Sequence, residues 1–315
     1  MSPQPNFLGA ESTPLRSWMF VPCNRQRFLE KIYEPGPRPD GVFLDLEDGV
    51  VPEAKQSARE NAVAVLREAR PGPFRAVRVN AIGSDWYEQD VDAVVGHGLE
   101  GLCIPKVESA GDLRPVLELL DRVDPRGSVR IIAAIESAAG LLHAPAIAAA
   151  HDRILAIMFG AEDYALDVGL STKREAESAE LVYARSAIVV AATAARVISI
   201  DGVFPDLDDP AGLLADIVRA RRLGFRAKST FNPRQVDLIN EHFSPTEDEL
   251  EYARRVVTAF EEALQRGDAS VAVGGQLVDL PIVRRAEALL ALADRLAKER
   301  EAAAPAPADT ELEVG

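Results

Sequence analysis

Short, nearly continuous apolar runs recur along the chain, and between them the apolar positions switch to a helical period. The runs fall at residues 18–22, 41–48, 75–80, 101–106, 130–137, 154–163, 198–204 and 227–233. A strand that exposes one face to water alternates apolar and polar positions, whereas one buried on both faces reads as an unbroken run, the signature of a parallel sheet covered by helices. Helical patterns occupy 53–69, 110–122, 145–150, 179–197 and 210–223, the last stopped by Gly224, which suits a left-handed helix end. Eight strand–helix units predict an α/β fold, a (β/α)8 TIM barrel, over residues 15–245. A doubly wound open sheet is the alternative, but its Gly-rich first turn is missing: the first turn here reads FVPCNRQRF, with no GxGxxG.

The chain continues well past the eighth strand. A helix at 246–265 opens with the capping-box pattern Thr246 to Glu249, a Gly-containing stretch follows at 267–281, and a second helix covers 282–300. This predicts a C-terminal helical extension and lid over 246–300, with the Gly-rich stretch as a mobile loop. Residues 1–14 are expected to be a flexible tail, and residues 301–315, rich in Ala and Pro, a disordered one.

Composition narrows the setting. With 47% hydrophobic and 27% charged residues the chain can bury a sizeable core, and its net charge of −15 argues against nucleic acid or an anionic membrane as partner. Its two cysteines, Cys23 and Cys103, lie in separate strand-like segments and suit a reducing cytoplasm. No secretory leader pattern opens the sequence, and no apolar stretch approaches the ~20 residues of a membrane span, so a cytoplasmic location is expected.

A barrel of this kind carries its active site at the C-terminal ends of its strands. The residues closing the runs are therefore the candidates: Phe20 and Asn24; Asp45, Glu47 and Asp48; Arg78 and Asn80; Lys106; Glu136; Glu162 and Asp163; Asp201; and Lys228. Glu136 and Asp163 end adjacent strands, which sets two carboxylates on one rim within reach of one cation. Oxygen-only ligation with few protein ligands is the Mg2+ pattern; a rim salt bridge is the plainer alternative for either acid alone. The histidines, His97, His143, His151 and His242, form no zinc-like spacing. Arg78 ends an apolar strand and needs an anion, either a substrate oxygen or an acidic neighbour such as Glu47. Arg16, Arg25, Arg27 and Lys31 stand against Glu30 alone, enough to dock a phosphate-bearing ligand or simply to form a solvated helix face.

Taken together, RSWMFVPCN, DGVFLDLEDGVVPEAKQSAR, VRVN, GLCIPKVES, IAAIESAAGL, FGAEDYALDVG, ISIDGVFPDLDD and NPRQVDLINEHFSPTEDEL resemble the HpcH/HpaI aldolase/citrate lyase family, in its citrate lyase β-subunit-like and malyl-CoA lyase branch. The resemblance spans roughly residues 15–285, in order with the eight runs. It implies Glu136 and Asp163 as Mg2+ ligands and Arg78 as the group holding a thioester enolate oxygen. It implies Phe20, Arg25 and Lys31, together with Arg78 and Glu136, as CoA and substrate contacts. GGQLVDLPIVRRA resembles the family's C-terminal lid, which makes Asp279 the catalytic base, reaching into a neighbouring subunit of a homotrimer or hexamer. An exposed loop aspartate is otherwise simply solvated. The family pattern G-K-x-x-I-H-P-x-Q reads here as AKSTFNPRQ, with Ala227 for glycine and Asn232 for histidine.

The activity so implied is Mg2+-dependent, reversible aldol-type cleavage of a β-hydroxyacyl-CoA to an acyl-CoA and a 2-oxo acid. Malyl, methylmalyl, citramalyl and citryl thioesters of CoA or of an acyl carrier protein all stay open, because one methyl changes binding by only ~1–3 kcal/mol. Three alternatives stand beside it: a Schiff-base aldolase using Lys106 or Lys228, a malyl-CoA thioesterase on the same scaffold, and a non-catalytic acyl-CoA-binding homologue.

Overall fold

The computed structural model describes residues 14–34, 36, 38–68, 70–171 and 179–303. The expected tails at 1–14 and 301–315 lie outside the described residues except for Pro14 and residues 301–303.

The eight apolar runs form eight parallel strands: β1 (Ser17–Pro22), β2 (Gly41–Asp45), β3 (Phe74–Arg78), β4 (Gly101–Ile104), β5 (Arg130–Ile135), β6 (Ile154–Phe159), β7 (Ile198–Asp201) and β8 (Ala227–Thr230). Each pairs with the next in sequence order and β8 pairs back to β1, so the sheet closes into the expected (β/α)8 barrel. The strands stop short of where the runs stop. After β2, for example, the Asp45 carboxylate accepts the backbone N–H groups of Glu47 (3.0 Å) and Gly49 (3.1 Å), and this side-chain turn takes the chain out of the ladder. β6 ends at Phe159, and Glu162 and Asp163 lie in the first turn of a helix rather than on the strand.

The crossover helices are α1 (Gln26–Glu30), α2 (Lys55–Arg67), α3 (Tyr87–Val94), α4 (Arg114–Val123), α5 (Ala138–Ala148), α6 (Ala161–Asp167), α7 (Val182–Ala195), α8 (Pro210–Leu223) and α9 (Pro233–His242). Gly224 does end α8 at φ 106°. α5 corrects the reading that began it at Pro145: the helix starts at its Ser137 cap, whose hydroxyl accepts from Gly140 N–H at 3.1 Å, and Pro145 falls inside it. The core has two layers. Inside the barrel, Trp18 and Phe43 stack at 4.7 Å beside Ala76, Cys103, Ile132, Ala156 and Ala227. Between strands and helices lies a larger aliphatic layer including Leu44, Leu66, Ile104, Leu120, Ile131 and Ile188.

Residues 244–303 belong to a second compact unit. α10 (Glu247–Gln265) starts at the expected Thr246 capping box. The stretch expected as a mobile loop instead contains an antiparallel hairpin, β9 (Val271–Val273) and β10 (Gln276–Val278). Its two-residue turn is Gly274–Gly275, with φ 59° and 82°, the positive values a type I′ turn requires. α11 (Leu280–Ala303) follows, longer than 282–300 at both ends, since Ala and Glu favour helix up to the Pro-containing segment. Val256, Phe260, Val273, Val278 and Val283 form the core of this unit. No helix among the described residues is long and apolar enough to cross a membrane.

Candidate active site

The C-terminal ends of the strands surround a cavity of about 270 Å³, lined by Phe20, Asp48, Arg78, Glu136, Met158, Gly160, Glu162, Asp163, Val203, Ser229 and Phe231 among others. The lining carries four carboxylates against one guanidinium.

Arg78, the last residue of β3, is buried. Its Nε and Nη2 donate to the two oxygens of Asp45 at 2.7 and 2.8 Å, a bidentate fork, and Nη1 lies 3.2 Å from Glu47 Oε2. Guanidinium has five N–H groups, so these contacts leave two uncommitted, on a residue that lines the cavity. The plainer reading of Arg78, a structural ion pair with acidic neighbours, is what the geometry shows. Burial opposes the Arg78 charge, but Asp45 and Glu47 more than offset this and raise its pKa, so it stays protonated.

Glu47 is paired on its other side with Lys106, Nζ to Oε1 at 3.0 Å. Lys106 holds a left-handed backbone, φ 54°, and in that conformation its N–H donates to Glu136 Oε2 at 3.2 Å. Non-glycine residues rarely adopt this region, and they do so chiefly where surrounding structure imposes it. Burial raises the Glu47 pKa, with Asp48 adding to this and Arg78 and Lys106 opposing it. Glu136 is pushed further, to about 8, by burial first and then by Glu47 and Asp163, while Arg78 and Lys106 pull it down. A buried carboxyl with acidic neighbours holds its proton until something cationic arrives.

Gly160 makes room for that carboxylate. A Cβ at residue 160 would fall 2.6 Å from Glu136 Oε1 and closer still to its Cγ. Gly160→Ala should therefore displace Glu136 and lower kcat/KM at least tenfold, with a stability loss below about 2 kcal/mol in urea melts; unchanged activity would show that Glu136 can move without consequence.

The loop carrying Glu47 is fixed from below by a residue the sequence reading did not single out. Lys55 is buried and donates to the Leu46 carbonyl (2.7 Å), the Glu47 carbonyl (2.8 Å) and Asn80 Oδ1 (2.6 Å). Asn80 in turn donates to Asp90 (2.6 Å), which pairs with Arg59 (3.0 Å). Asn80 thus closes β3 as a scaffold member and not as a wall of the cavity. Lys55 had no sequence signal, because a lysine opening an amphipathic helix normally points to solvent.

Lys228 is committed too. Its ammonium donates to Asp201 (2.7 Å), Asp216 (2.6 Å) and the Gly202 carbonyl (2.6 Å), and Arg185 bridges the same two aspartates. All three of its N–H groups are used. Lys106 is paired with Glu47; burial opposes its charge, but Glu47, Asp48 and Asp163 together more than offset this and raise its pKa. Neither lysine has the unpaired amine that a Schiff-base aldolase needs.

Of the other expected site residues, Phe20 lines the cavity, with the Arg78 guanidinium 4.5 Å from its ring centroid. Arg25 and Lys31 flank α1, exposed and outside the lining. Arg16 leaves the basic group altogether: it precedes β1, at the opposite end of the strand from the cavity, and forks onto Asp40 at 2.8 and 2.9 Å. Asp279 belongs to the second unit, exposed between β10 and α11, where its carbonyl accepts from Ile282 (3.0 Å) and Val283 (3.1 Å).

A divalent cation suits the donor set. Glu136 and Asp163 share the cavity wall, and both offer oxygen donors. Among the described residues no group of three or more His, Cys, Asp or Glu side chains converges at ligand spacing.

A closed parallel barrel with a carboxylate-rich cavity at its strand ends has the architecture of a barrel enzyme. The chain belongs to the HpcH/HpaI aldolase/citrate lyase family, whose model matches residues 16–233, and with it to the carbon–carbon lyases acting on CoA esters. It is 36% identical to the citrate lyase subunit beta of Leuconostoc mesenteroides subsp. cremoris, over 89% of this chain and 93% of that one. It is 32% identical to the L-malyl-CoA/beta-methylmalyl-CoA lyase of Cereibacter sphaeroides, over 90% and 96%. Among solved structures it resembles protein CitE from Mycobacterium tuberculosis in complex with magnesium, acetoacetate and coenzyme A: TM-score 0.74, 31% identity, 90% of this chain and 99% of that one.

Proposed function

We propose that this protein catalyses Mg2+-dependent, reversible aldol-type cleavage of a β-hydroxyacyl thioester of CoA, giving an acyl thioester and a 2-oxo acid. The observation that carries the reading is the joint placement of Arg78, Glu136 and Asp163 around one cavity. Glu136 and Asp163 would hold Mg2+, which when bound supplies positive charge to the oxygens of the 2-oxo acid portion. Arg78, already locked on Asp45 and Glu47, keeps two N–H groups for the thioester oxygen that becomes negative as the C–C bond breaks. Because its partners fix it beforehand, little reorganisation is needed when that charge develops. Phe20 packs against the guanidinium and excludes water on that side.

Asp279 is proposed as the acid–base group, returning a proton to the acyl α-carbon in cleavage and removing one in condensation. The resemblance of GGQLVDLPIVRRA to the family's C-terminal lid supports a role across a subunit boundary. So do the apolar side chains Leu142, Tyr183 and Val190, each at least 67% exposed, on the adjoining helices α5 and α7. Arg25 and Lys31 remain proposed CoA contacts.

The test is a panel of CoA thioesters and 2-oxo acids assayed with Mg2+ and with excess EDTA, following C–C bond change separately from free CoA. The expected result is Mg2+-restored cleavage with the thioester intact, and no substrate trapped on lysine by borohydride. Free CoA without C–C cleavage would replace the reading with a thioesterase, and full turnover in EDTA would remove the metal from it.

A further inference from the structure

Lys106 touches two acids of the site through different atoms. β4 ends at Ile104, and the chain rejoins β5 at Val107, whose N–H donates to the Ala134 carbonyl at 3.1 Å. Between the two it turns through the left-handed conformation at Lys106, φ 54°, which aims the Lys106 N–H at Glu136 Oε2, 3.2 Å away. Glycine makes such a turn without steric cost, and asparagine makes it more readily than lysine. What lysine adds is its side chain. Nζ lies 3.0 Å from Glu47 Oε1 and 3.9 Å from Asp48 Oδ1, with 41% of the side chain exposed. Glu47 is therefore held between two cations, Oε1 on Lys106 and Oε2 on the Arg78 Nη1 at 3.2 Å. It is buried, and its charge acts on Glu136.

A buried carboxylate oxygen that loses its cation is costly until another positive group meets it. For Glu47 two such groups adjoin: the N–H groups of Arg78 that Asp45 and Glu47 leave uncommitted, and, on the Glu136 side, the divalent cation of the proposed reaction. We propose that Lys106 is a positioning residue, its N–H fixing Glu136 so that Oε1 is left to the cation, and its ammonium holding Glu47 away both from that cation and from the free N–H groups of Arg78. This rests on the thioester lyase reading and deepens it. A lysine that only braces the fold and one that positions Glu47 differ in the sign of one effect. Loss of a brace loosens the carboxylates and weakens Mg2+ binding and turnover together. Loss of the positioning ammonium removes a positive charge beside the cation and frees an acid, so Mg2+ binds more tightly while turnover falls, because Arg78 then donates to Glu47 instead of to the thioester.

The full-length parent and Lys106→Met are titrated with Mg2+ alone by calorimetry, and kcat/KM is measured on the same preparations with the CoA thioester that the parent cleaves best. Mg2+ should bind Lys106→Met about fivefold more tightly, the effect of removing one nearby positive charge in a partly solvated site. Over the same substitution kcat/KM should fall at least about tenfold, as donors to the developing charge are diverted. Lys106→Gly, which keeps the N–H and the left-handed turn, should behave as Lys106→Met, and Lys106→Arg, which keeps the charge, should return both values toward the parent's. Unchanged or weaker Mg2+ binding by Lys106→Met would overturn the proposal, as would unchanged kcat/KM or a parent that binds no Mg2+. The lyase reading fails separately: tighter Mg2+ binding by the methionine and glycine variants, reversed by arginine, with no C–C cleavage by the parent, would support the hold of Lys106 on Glu47 and refute that reading.

Discussion

Arg78→Ala should lower kcat/KM by about 10³-fold and also destabilise the fold by about 3–5 kcal/mol, the two effects arising from different sides of the same guanidinium. On the protein side, Asp45 and Glu47 are buried and each loses its arginine partner. Asp45 keeps the backbone N–H groups of Glu47 and Gly49, and Glu47 keeps Lys106, but the acidic pair is left short of one positive charge, and breaking a buried pair from one side is strongly destabilising. On the substrate side, the donors for the developing enolate charge disappear, and removing one such donor commonly costs 10²–10³ in rate. Arg78→Lys separates the two. An ammonium still neutralises Asp45, so urea melts should recover most of the stability, but it cannot make the fork while presenting two further N–H groups to the cavity, so activity should stay at least 10²-fold low. Equal recovery of stability and activity by lysine would show that Arg78 acts in the scaffold alone.

The dual commitment of Arg78 also marks the limit of what the sequence discloses. The strands were legible because a buried parallel sheet leaves unbroken apolar runs, and the Thr246 capping box and Gly224 stop were legible because they are local rules of backbone hydrogen bonding. The hairpin at 271–278 was not, since three-residue strands are too short to show a period and the Gly274–Gly275 pair reads equally well as a loose loop. Glu162 and Asp163 were placed at a strand end, whereas β6 stops at Phe159 and the chain turns into α6 at Ala161, a difference of four residues that an unbroken apolar run does not resolve. In the site, Arg78, Glu136 and Phe20 could be picked out as residues ending apolar runs. Lys55, the αL geometry of Lys106, the pairing of Arg16 with Asp40 and the capture of Lys228 by Asp201 and Asp216 could not. Each depends on which charged residues from distant segments meet at a strand end, and that is fixed only when the barrel closes.

Glu136→Gln should abolish metal-dependent turnover, by at least 10²-fold, and yet yield a protein more stable than the parent at pH 8. The reason lies in the same burial that prepares the carboxylate. Its pKa stands at about 8 instead of the ordinary 4.5. Below pH 4.5 the group is protonated both folded and unfolded, and its stability term is fully present. Between 4.5 and 8 the folded protein retains a proton that the unfolded chain releases, so stability falls as pH rises, and above 8 the loss is complete. The total for so buried a group is of the order of several kcal/mol. Glutamine keeps an oxygen to accept the Lys106 N–H and does not titrate, so the difference in melting temperature between parent and variant should be small at pH 5 and widen steadily to pH 8. Glu47, whose pKa burial also raises, is coupled to Glu136, so the variant also relieves Glu47 of a like charge, which adds to the difference in the same sense. Mg2+ should then stabilise the parent more at pH 8, where about half the Glu136 carboxyls have already lost the proton, than at pH 5, and have little effect on the variant at any pH. Melting curves for parent and variant that run parallel from pH 5 to 8, with or without Mg2+, would mean that Glu136 is neither held neutral by burial nor a ligand for the cation.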